Sequence, residues 1–138
     1  MQDNIFHVAL AVDNLNEATN FYSNILGCKE REDARGDTYT VINFFGSQLV
    51  LIEDPNETNK HDSIDQDFFE PVKHFGIIME WSKWHNLVDT LEKKEVEFKI
   101  QPNVKDHENV GKVANMFLSD PSHNFIEFKS YKDRSKIL

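Results

Sequence analysis

Two histidines and one glutamate occupy matching places in three short apolar segments of the chain: His7, His74 and Glu127. Read as β-strands, these segments alternate their side chains between two faces, so the bulky apolar row faces a helix. Each of the three residues falls in the opposite row. A carboxylate among phenylalanines is costly to bury without a partner. A divalent metal bound by two imidazoles and one carboxylate would satisfy all three side chains.

The elements that must position these residues follow an order that occurs twice. Strand, helix, strand, strand, strand is predicted over residues 4–53 and again over 73–131, with a polar connector over 54–72. The leading strands carry His7 and His74. Two such copies predict an α+β protein made of two tandem βαβββ modules within one domain, 1–138.

The helix boundaries are predicted from capping signals. Asn14, with Glu17 three residues later, is typical of a helix start, and Gly27 is typical of a helix end. The second helix is predicted to begin at Ser82 and to end near Lys94.

Three further elements are predicted from turn residues and β-forming runs. Gly46 marks a hairpin between two strands of the first module. In the second module, a strand is predicted over 96–100, followed by a polar loop over 101–112.

Composition excludes several classes of function. The 138 residues contain 15 Lys and Arg against 24 Asp and Glu, a net charge of −9, which argues against binding to nucleic-acid phosphates. No apolar run approaches the roughly 18 residues of a membrane span, and no signal peptide opens the chain, so a cytoplasmic protein without membrane contact is predicted. A single cysteine, Cys28, excludes an internal disulfide and is predicted to be a structural thiol.

Together, several motifs resemble the vicinal oxygen chelate superfamily, which includes glyoxalases, extradiol dioxygenases, methylmalonyl-CoA epimerases and fosfomycin or bleomycin resistance proteins. The motifs that carry the resemblance are Phe6-His7-Val8-Ala9-Leu10-Ala11-Val12, Phe21-Tyr22, Leu26-Gly27-Cys28, His74-Phe75-Gly76, Phe117-Leu118, Asp120-Pro121-Ser122, Asn124 and Ile126-Glu127-Phe128. A narrower likeness, to a bacterial branch related to catechol 2,3-dioxygenases, rests on Asn43-Phe44-Phe45-Gly46, Gln48-Leu49-Val50 and Trp84-His85.

This resemblance implies a half-open mixed-sheet cleft in which His7, His74 and Glu127 hold a metal. A fourth ligand position of the family, on the strand after Gly46, is predicted at or near Leu51, which cannot coordinate a metal. Two histidines and one glutamate are the set used by extradiol dioxygenases, and they favour Fe(II), with Mn(II), Zn(II) or Ni(II) as alternatives.

Further residues are assigned candidate roles around that metal. His123, which stands where the motif usually has glycine, is predicted either as an acid–base group or as a turn residue in a left-handed conformation. Tyr39, Gln48 and Phe125 are predicted to contact substrate. The remaining histidines, His61, His85 and His107, are predicted to lie on the surface or in packing positions.

The leading hypothesis is a dioxygenase-like metalloenzyme that binds a small substrate through vicinal oxygens. Two alternatives stay open: an isomerase or lyase of the glyoxalase or epimerase type, and a non-catalytic small-molecule binding protein like the bleomycin resistance proteins. The resemblance also favours a homodimer, and it leaves open whether modules pair within one chain or between two.

Overall fold

The computed structural model describes residues 4–58 and 73–138. Within them the chain forms two compact units: unit 1 contains residues 4–58 together with the turn 120–124, and unit 2 contains residues 73–119 and 125–138. Most of the predicted connector, 59–72, and with it His61, lies outside the described residues. Its beginning forms a short 3₁₀ turn, Pro55–Glu57.

Unit 1 contains the first βαβββ set. Its elements are β1 (His7–Val12), α1 (Leu15–Asn20), β2 (Lys29–Glu30), β3 (Tyr39–Phe44) and β4 (Ser47–Glu53). The sheet has the order β1-β4-β3-β2, with β1 parallel to β4 and the other pairs antiparallel. The predicted hairpin at Gly46 is present, because Phe45 and Gly46 both have positive φ, 51° and 93°.

The first helix begins as predicted but changes form midway. The Asn14 side chain accepts a hydrogen bond from the Glu17 amide at 2.9 Å, which caps the helix. After Asn20 the chain continues as a π-helical turn, Phe21–Ile25, which the sequence analysis missed. Phe21 and Tyr22 begin this turn and are both buried, and their rings meet edge to face with centroids 5.2 Å apart.

Unit 2 contains the second set. Its elements are β5 (His74–Ile78), α2 (Trp81–Lys93), β6 (Ile100–His107), β7 (Gly111–Ser119) and β8 (Phe125–Tyr131), and the sheet order is β5-β8-β7-β6. β5 runs parallel to β8, and β7 is antiparallel to both β6 and β8. Two mixed four-stranded sheets with few helices confirm the α+β class and the tandem βαβββ modules.

Three predictions in unit 2 were wrong. The strand predicted over 96–100 is absent except for Ile100, at which β6 begins. Residues 101–107, predicted as loop, belong to β6, which is an edge strand and therefore lacks the apolar alternation of an inner strand. Pro102 is tolerated there because it lies in a register shift between Ile100 and Asn103. The cap of α2 is Glu80 rather than Ser82: its carboxylate accepts hydrogen bonds from the Ser82 and Lys83 amides at 3.1 and 3.2 Å.

Helix α2 packs its apolar face on the sheet of its own unit. Trp84, Val88 and Leu91 are buried, and the Trp84 indole donates a hydrogen bond to the Phe128 carbonyl at 2.8 Å. Neither helix of the described chain is long and apolar enough to cross a membrane.

A buried carboxylate organises the turn at 120–124 within unit 1. Asp120 is 3% exposed and accepts four hydrogen bonds of 2.8–2.9 Å, from the Tyr22 hydroxyl, the Ser122 and Asn124 amides and the Asn124 side chain. The turn is joined to β1, because the Asn124 side chain donates to the Ala11 carbonyl at 3.0 Å. Residues distant in sequence are thereby held together.

The phenol of Tyr22 makes the stability of the protein sensitive to alkaline pH. Burial, and then the charge of Asp120, raise the pKa of Tyr22 well above its usual 10. Below about pH 10 the phenol is neutral in both states, so its contribution to stability is fully present. Above that pH the unfolded chain ionises first, and stability falls by up to about 1.4 kcal/mol per pH unit.

We therefore expect Tyr22→Phe to remove a large part of the loss of unfolding free energy between pH 9.5 and 11, measured by urea denaturation. The exposed Tyr39 provides the matched variant, and Tyr39→Phe should keep the wild-type slope. Equal slopes for all three proteins would contradict this role of Tyr22.

Candidate metal centre

The strongest candidate donor pair lies on two neighbouring strands of unit 2. His74 Nε2, on β5, is 3.4 Å from Glu127 Oε1, on β8. Glu127 is only 9% exposed. An imidazole nitrogen and a nearly buried carboxylate at this distance are two of the donors that divalent transition metals bind.

The surroundings of this pair fix its orientation. Asn115, on β7, donates a hydrogen bond from Nδ2 to Glu127 Oε2 at 3.2 Å. The His74 ring meets the Phe117 ring edge to face, with centroids 4.9 Å apart. Gly76 pairs with Glu127 across the strands, and a Cβ at that position would collide with the Glu127 carbonyl. The glycine in His74-Phe75-Gly76 therefore allows β5 to approach the strand that carries the carboxylate.

His7 lies on β1 in unit 1, beside Gln48 on β4. Its Nδ1 is 2.8 Å from Gln48 Oε1, and the two residues pair directly in the parallel register. An imidazole that donates from Nδ1 to an amide oxygen has its lone pair on Nε2, which is the tautomer of a metal-binding histidine. Gln48, predicted to contact substrate, thus orients the His7 ring in this structure.

The strand register narrows the position predicted for the fourth family ligand, at or near Leu51. Glu127 pairs with Gly76, two residues after His74, and the equivalent partner of Ala9, two residues after His7, is Val50. The predicted position, Leu51, is fully buried on the opposite face of the sheet. Valine cannot coordinate a metal either.

The donor chemistry of these residues fits a divalent metal, with the donors distributed over the two units. His7 belongs to unit 1, whereas His74 and Glu127 belong to unit 2. Among the residues that the structure describes, no three or more His, Cys, Asp or Glu side chains lie close enough together to hold a metal ion.

A cavity of about 570 Å³ opens beside Glu127 in unit 2. It is lined by polar side chains from three adjacent strands and the turn between β6 and β7, among them Asn103, Lys105, His107, Glu108, Asn115, Glu127, Lys129 and Tyr131. Sequence reasoning missed Asn103, Lys105, Asn115 and Lys129. Alternation along the last strand was a usable signal for Lys129, because Glu127, Lys129 and Tyr131 share one face.

The other predicted site residues lie in three different settings. Tyr39 is 46% exposed and, by register, shares a sheet face of unit 1 with Gln48. Phe125 is buried on β8 and pairs with His74. His123 is exposed in the turn with φ of 64°, a left-handed conformation, as its prediction as a turn residue requires. Its acid–base role stays a prediction.

Cys28 and His85 were predicted to have no part in the metal site, Cys28 as a structural thiol and His85 as a surface or packing residue. Cys28 is buried, and burial raises the pKa of its thiol from 9.0 to about 11, which disfavours the reactive thiolate. The ring of His85 packs against Trp81 and Trp84, with centroids 5.1 and 4.9 Å away.

A larger cavity, of about 810 Å³, lies in unit 1 along α1 and contains none of the predicted site residues. Its charged side chains largely pair with one another: Arg31 with Asp33 and Arg35 with Glu30, each at 3.0 Å. These ion pairs leave few unpaired charges in this cavity to bind a charged ligand.

The chain is similar in sequence and in fold to known proteins. The sequence model of the Glyoxalase/Bleomycin resistance protein/Dioxygenase superfamily matches residues 4–128. A glyoxalase/bleomycin resistance protein/dioxygenase from Alicyclobacillus acidocaldarius is similar at 28% identity, with a TM-score of 0.82 and coverage of 99% of this chain and 97% of that one. Among the curated proteins searched, none matches.

Two more distant structures share the fold. Lactoylglutathione lyase from Agrobacterium tumefaciens is 17% identical, with a TM-score of 0.63 and coverage of 94% of each chain. A fosfomycin resistance protein from Listeria monocytogenes is 15% identical, with a TM-score of 0.64 and coverage of 99% and 100%. Proteins of different activity thus share this architecture, so activity must be argued from the site.

Proposed function

Because the chain belongs to the glyoxalase/bleomycin resistance protein/dioxygenase superfamily, we propose that it is a metal-dependent enzyme of the extradiol dioxygenase type. In this proposal His7, His74 and Glu127 hold Fe(II), and a small substrate binds through two adjacent oxygens. The observation that carries it is the 3.4 Å approach of His74 to Glu127, with Asn115 holding the second carboxylate oxygen.

The number of donors favours a dioxygenase within this family. Val50 occupies the position at which a fourth protein ligand would stand. Three protein donors leave coordination positions for a substrate that chelates through two oxygens and for dioxygen. A bound Fe(II) supplies the Lewis-acid and redox chemistry of the reaction.

The chain's own residues contribute orientation and an apolar wall. Gln48 fixes the tautomer of His7, and Asn115 prevents rotation of the Glu127 carboxylate. On the His7 face of unit 1, the register aligns Val41 with Val50 and Tyr39 with Ile52. These apolar and aromatic side chains suit the ring of a small aromatic diol.

We further propose that the protein is a homodimer. β1 and β5 each end the strand order of their own sheet, so each presents one edge without a strand partner among the described residues. Ile5, Phe6 and Ile78, next to or on these strands, are 61%, 68% and 39% exposed. Edges and apolar side chains of this kind favour association with a second chain. His7 then joins His74 and Glu127 either within one chain or from the second copy.

Metal analysis and dioxygen uptake test the proposed function. Protein purified without chelators is expected to bind about one Fe(II) per chain and to consume dioxygen with catechol as the probe substrate. His7→Ala should lose both properties. His85→Ala is the matched control, because His85 lies on α2 between two tryptophans, and this variant should retain both.

Other outcomes identify the alternative functions. Turnover of a probe such as the methylglyoxal–glutathione adduct under strict anaerobiosis would overturn the dioxygenase in favour of an isomerase or lyase. A protein that binds no divalent metal, yet is stabilised by large ligands such as bleomycin whether or not chelator is present, would be a sequestering protein.

A further inference from the structure

The cavity beside Glu127 has a charge distribution that the metal donors do not explain. Lys105 and Lys129 line it together with Glu108 and Glu127, so its formal charge is zero (2 − 2 = 0). A divalent ion at Glu127 raises that sum to +2. The protein as a whole carries −9, so a cationic cavity is a local exception to its acidic composition.

Neither of the two lysines forms an ion pair with an acidic residue in the part of the chain that the structure describes. Among the described residues, no salt bridge involves Lys105 or Lys129. Lys129 is half-buried, and its ammonium lies 5.4 Å from the centre of the Tyr131 ring. An ammonium that is partly removed from water and lies near an aromatic face retains its capacity to bind an anion.

Strand geometry places Lys129 at a defined distance from the metal donors. Lys129 follows Glu127 by two residues on the same face of β8, a separation of about 7 Å along the strand. It pairs with Asn115, the residue that holds the Glu127 carboxylate, and Asn115 pairs with Asn103. One cross-strand row therefore begins at the lysine and lies next to the metal donors.

Asn103 adds an unsatisfied acceptor to this row. Its Nδ2 donates to the Gln101 carbonyl at 2.9 Å, but its buried Oδ1 has no hydrogen-bond partner among the described residues. Because an amide oxygen only accepts hydrogen bonds, this oxygen suits a donor group on a ligand and is not one of the anion-binding groups of the cavity.

We propose that this cavity binds an anionic group of the substrate, and specifically a carboxylate on the same molecule as the two chelating oxygens. Lys129 is the principal anion ligand and Lys105 the second. The inference rests on the proposed function, because it places the carboxylate relative to a metal at Glu127. It narrows the substrate class from any vicinal diol to an acidic one, such as a dihydroxybenzoate.

A pair of ligands of equal size tests the charge alone. We expect Mn(II)-loaded protein, titrated calorimetrically without dioxygen, to bind 3,4-dihydroxybenzoate about 10-fold more tightly than 3,4-dihydroxybenzamide. Lys129→Gln should reduce this ratio to about twofold or less, and Lys129→Arg should restore it, on the basis that one charge-assisted hydrogen bond is involved. Lys112→Gln, on the opposite face of β7, should keep the full ratio.

The affinity for Mn(II), measured without an organic ligand, distinguishes anion binding by Lys129 from structural damage in the variant and from failure of the proposed function. Loss of a nearby positive charge in Lys129→Gln should leave the affinity for Mn(II) unchanged or increase it, whereas misfolding would reduce it. Equal binding of the two ligands, or binding of neither, to a protein that holds Mn(II) overturns the anion site and leaves the metal site standing. If wild-type protein binds no divalent metal, the proposed function fails, and the anion site defined by that metal fails with it.

Discussion

Glu127→Gln is expected to lower the affinity of the protein for Fe(II) or Mn(II) at least 100-fold. Glutamine has nearly the same shape, but it replaces an anionic donor with a neutral amide. Loss of residues that merely support metal ligands already reduces affinity by about 10- to 100-fold, so loss of the ligand charge should exceed that range. Competition with a fluorescent chelator measures the change.

The same substitution should have little effect on the stability of the metal-free protein. Glu127 is 9% exposed, so its charge is expensive to bury without a cation, and a neutral amide removes that cost. Loss of metal affinity at an unchanged Tm is therefore the expected signature of a ligand. Glu108→Gln is the matched control, because Glu108 lines the same cavity. Metal affinity that falls equally in both variants would show only a general effect of charge.

Asp120→Ala is expected to reduce the free energy of unfolding by about 3–5 kcal/mol, because at least four donors lose their acceptor inside the protein. This is a large share of the roughly 5–15 kcal/mol by which a domain is stable. Burial raises the pKa of Asp120, against the opposing effect of these hydrogen bonds. The carboxylate is therefore costly to bury and is held in place by its partners.

Two further variants make this prediction specific. Asp120→Asn keeps an oxygen that accepts from the Ser122 and Asn124 amides. Its new amide nitrogen, however, is a donor placed opposite the donor of the Asn124 side chain, so we expect an intermediate loss of unfolding free energy. Asp133→Ala removes an exposed carboxylate that accepts from the Ser135 amide and hydroxyl, and should cost much less. Urea denaturation at pH 7 measures all three, and equal losses for Asp120→Ala and Asp133→Ala would contradict the buried network.

Local patterns were sufficient for several parts of this protein. The Asn14 cap depends on two residues three positions apart, and the hairpin depends on a glycine, Gly46, that readily adopts a positive φ. Both could therefore be predicted from a few neighbouring residues. The assignment of His74 and Glu127 to one side of their strands also follows from the two-residue period of a strand. Their 3.4 Å approach depends in addition on the parallel register of β5 and β8, which pairs Gly76 with Glu127.

Predictions failed where a residue depends on a distant partner. Strand β6 was not predicted because an edge strand is held by its hydrogen bonds to β7 and does not need alternating apolar residues in its sequence. The fourth ligand position could be predicted only as at or near Leu51, because the sequence does not show how β1 aligns with β4, and a slip of one residue moves a side chain to the other face. The narrower placement near catechol 2,3-dioxygenases, the module boundaries 4–53 and 73–131 and the role of His123 stay predictions.

The sequence by itself therefore determined which residue types stand on which strands: two histidines and a glutamate in a repeated βαβββ order, within an acidic chain. Only the tertiary structure decided which side chains surround them. Gln48 beside His7, Asn115 beside Glu127, and Lys105 with Lys129 in one cavity all join residues from separate strands. The physical reason is that alternation along a strand is a property of the backbone alone, whereas register arises from hydrogen bonds between strands far apart in the chain.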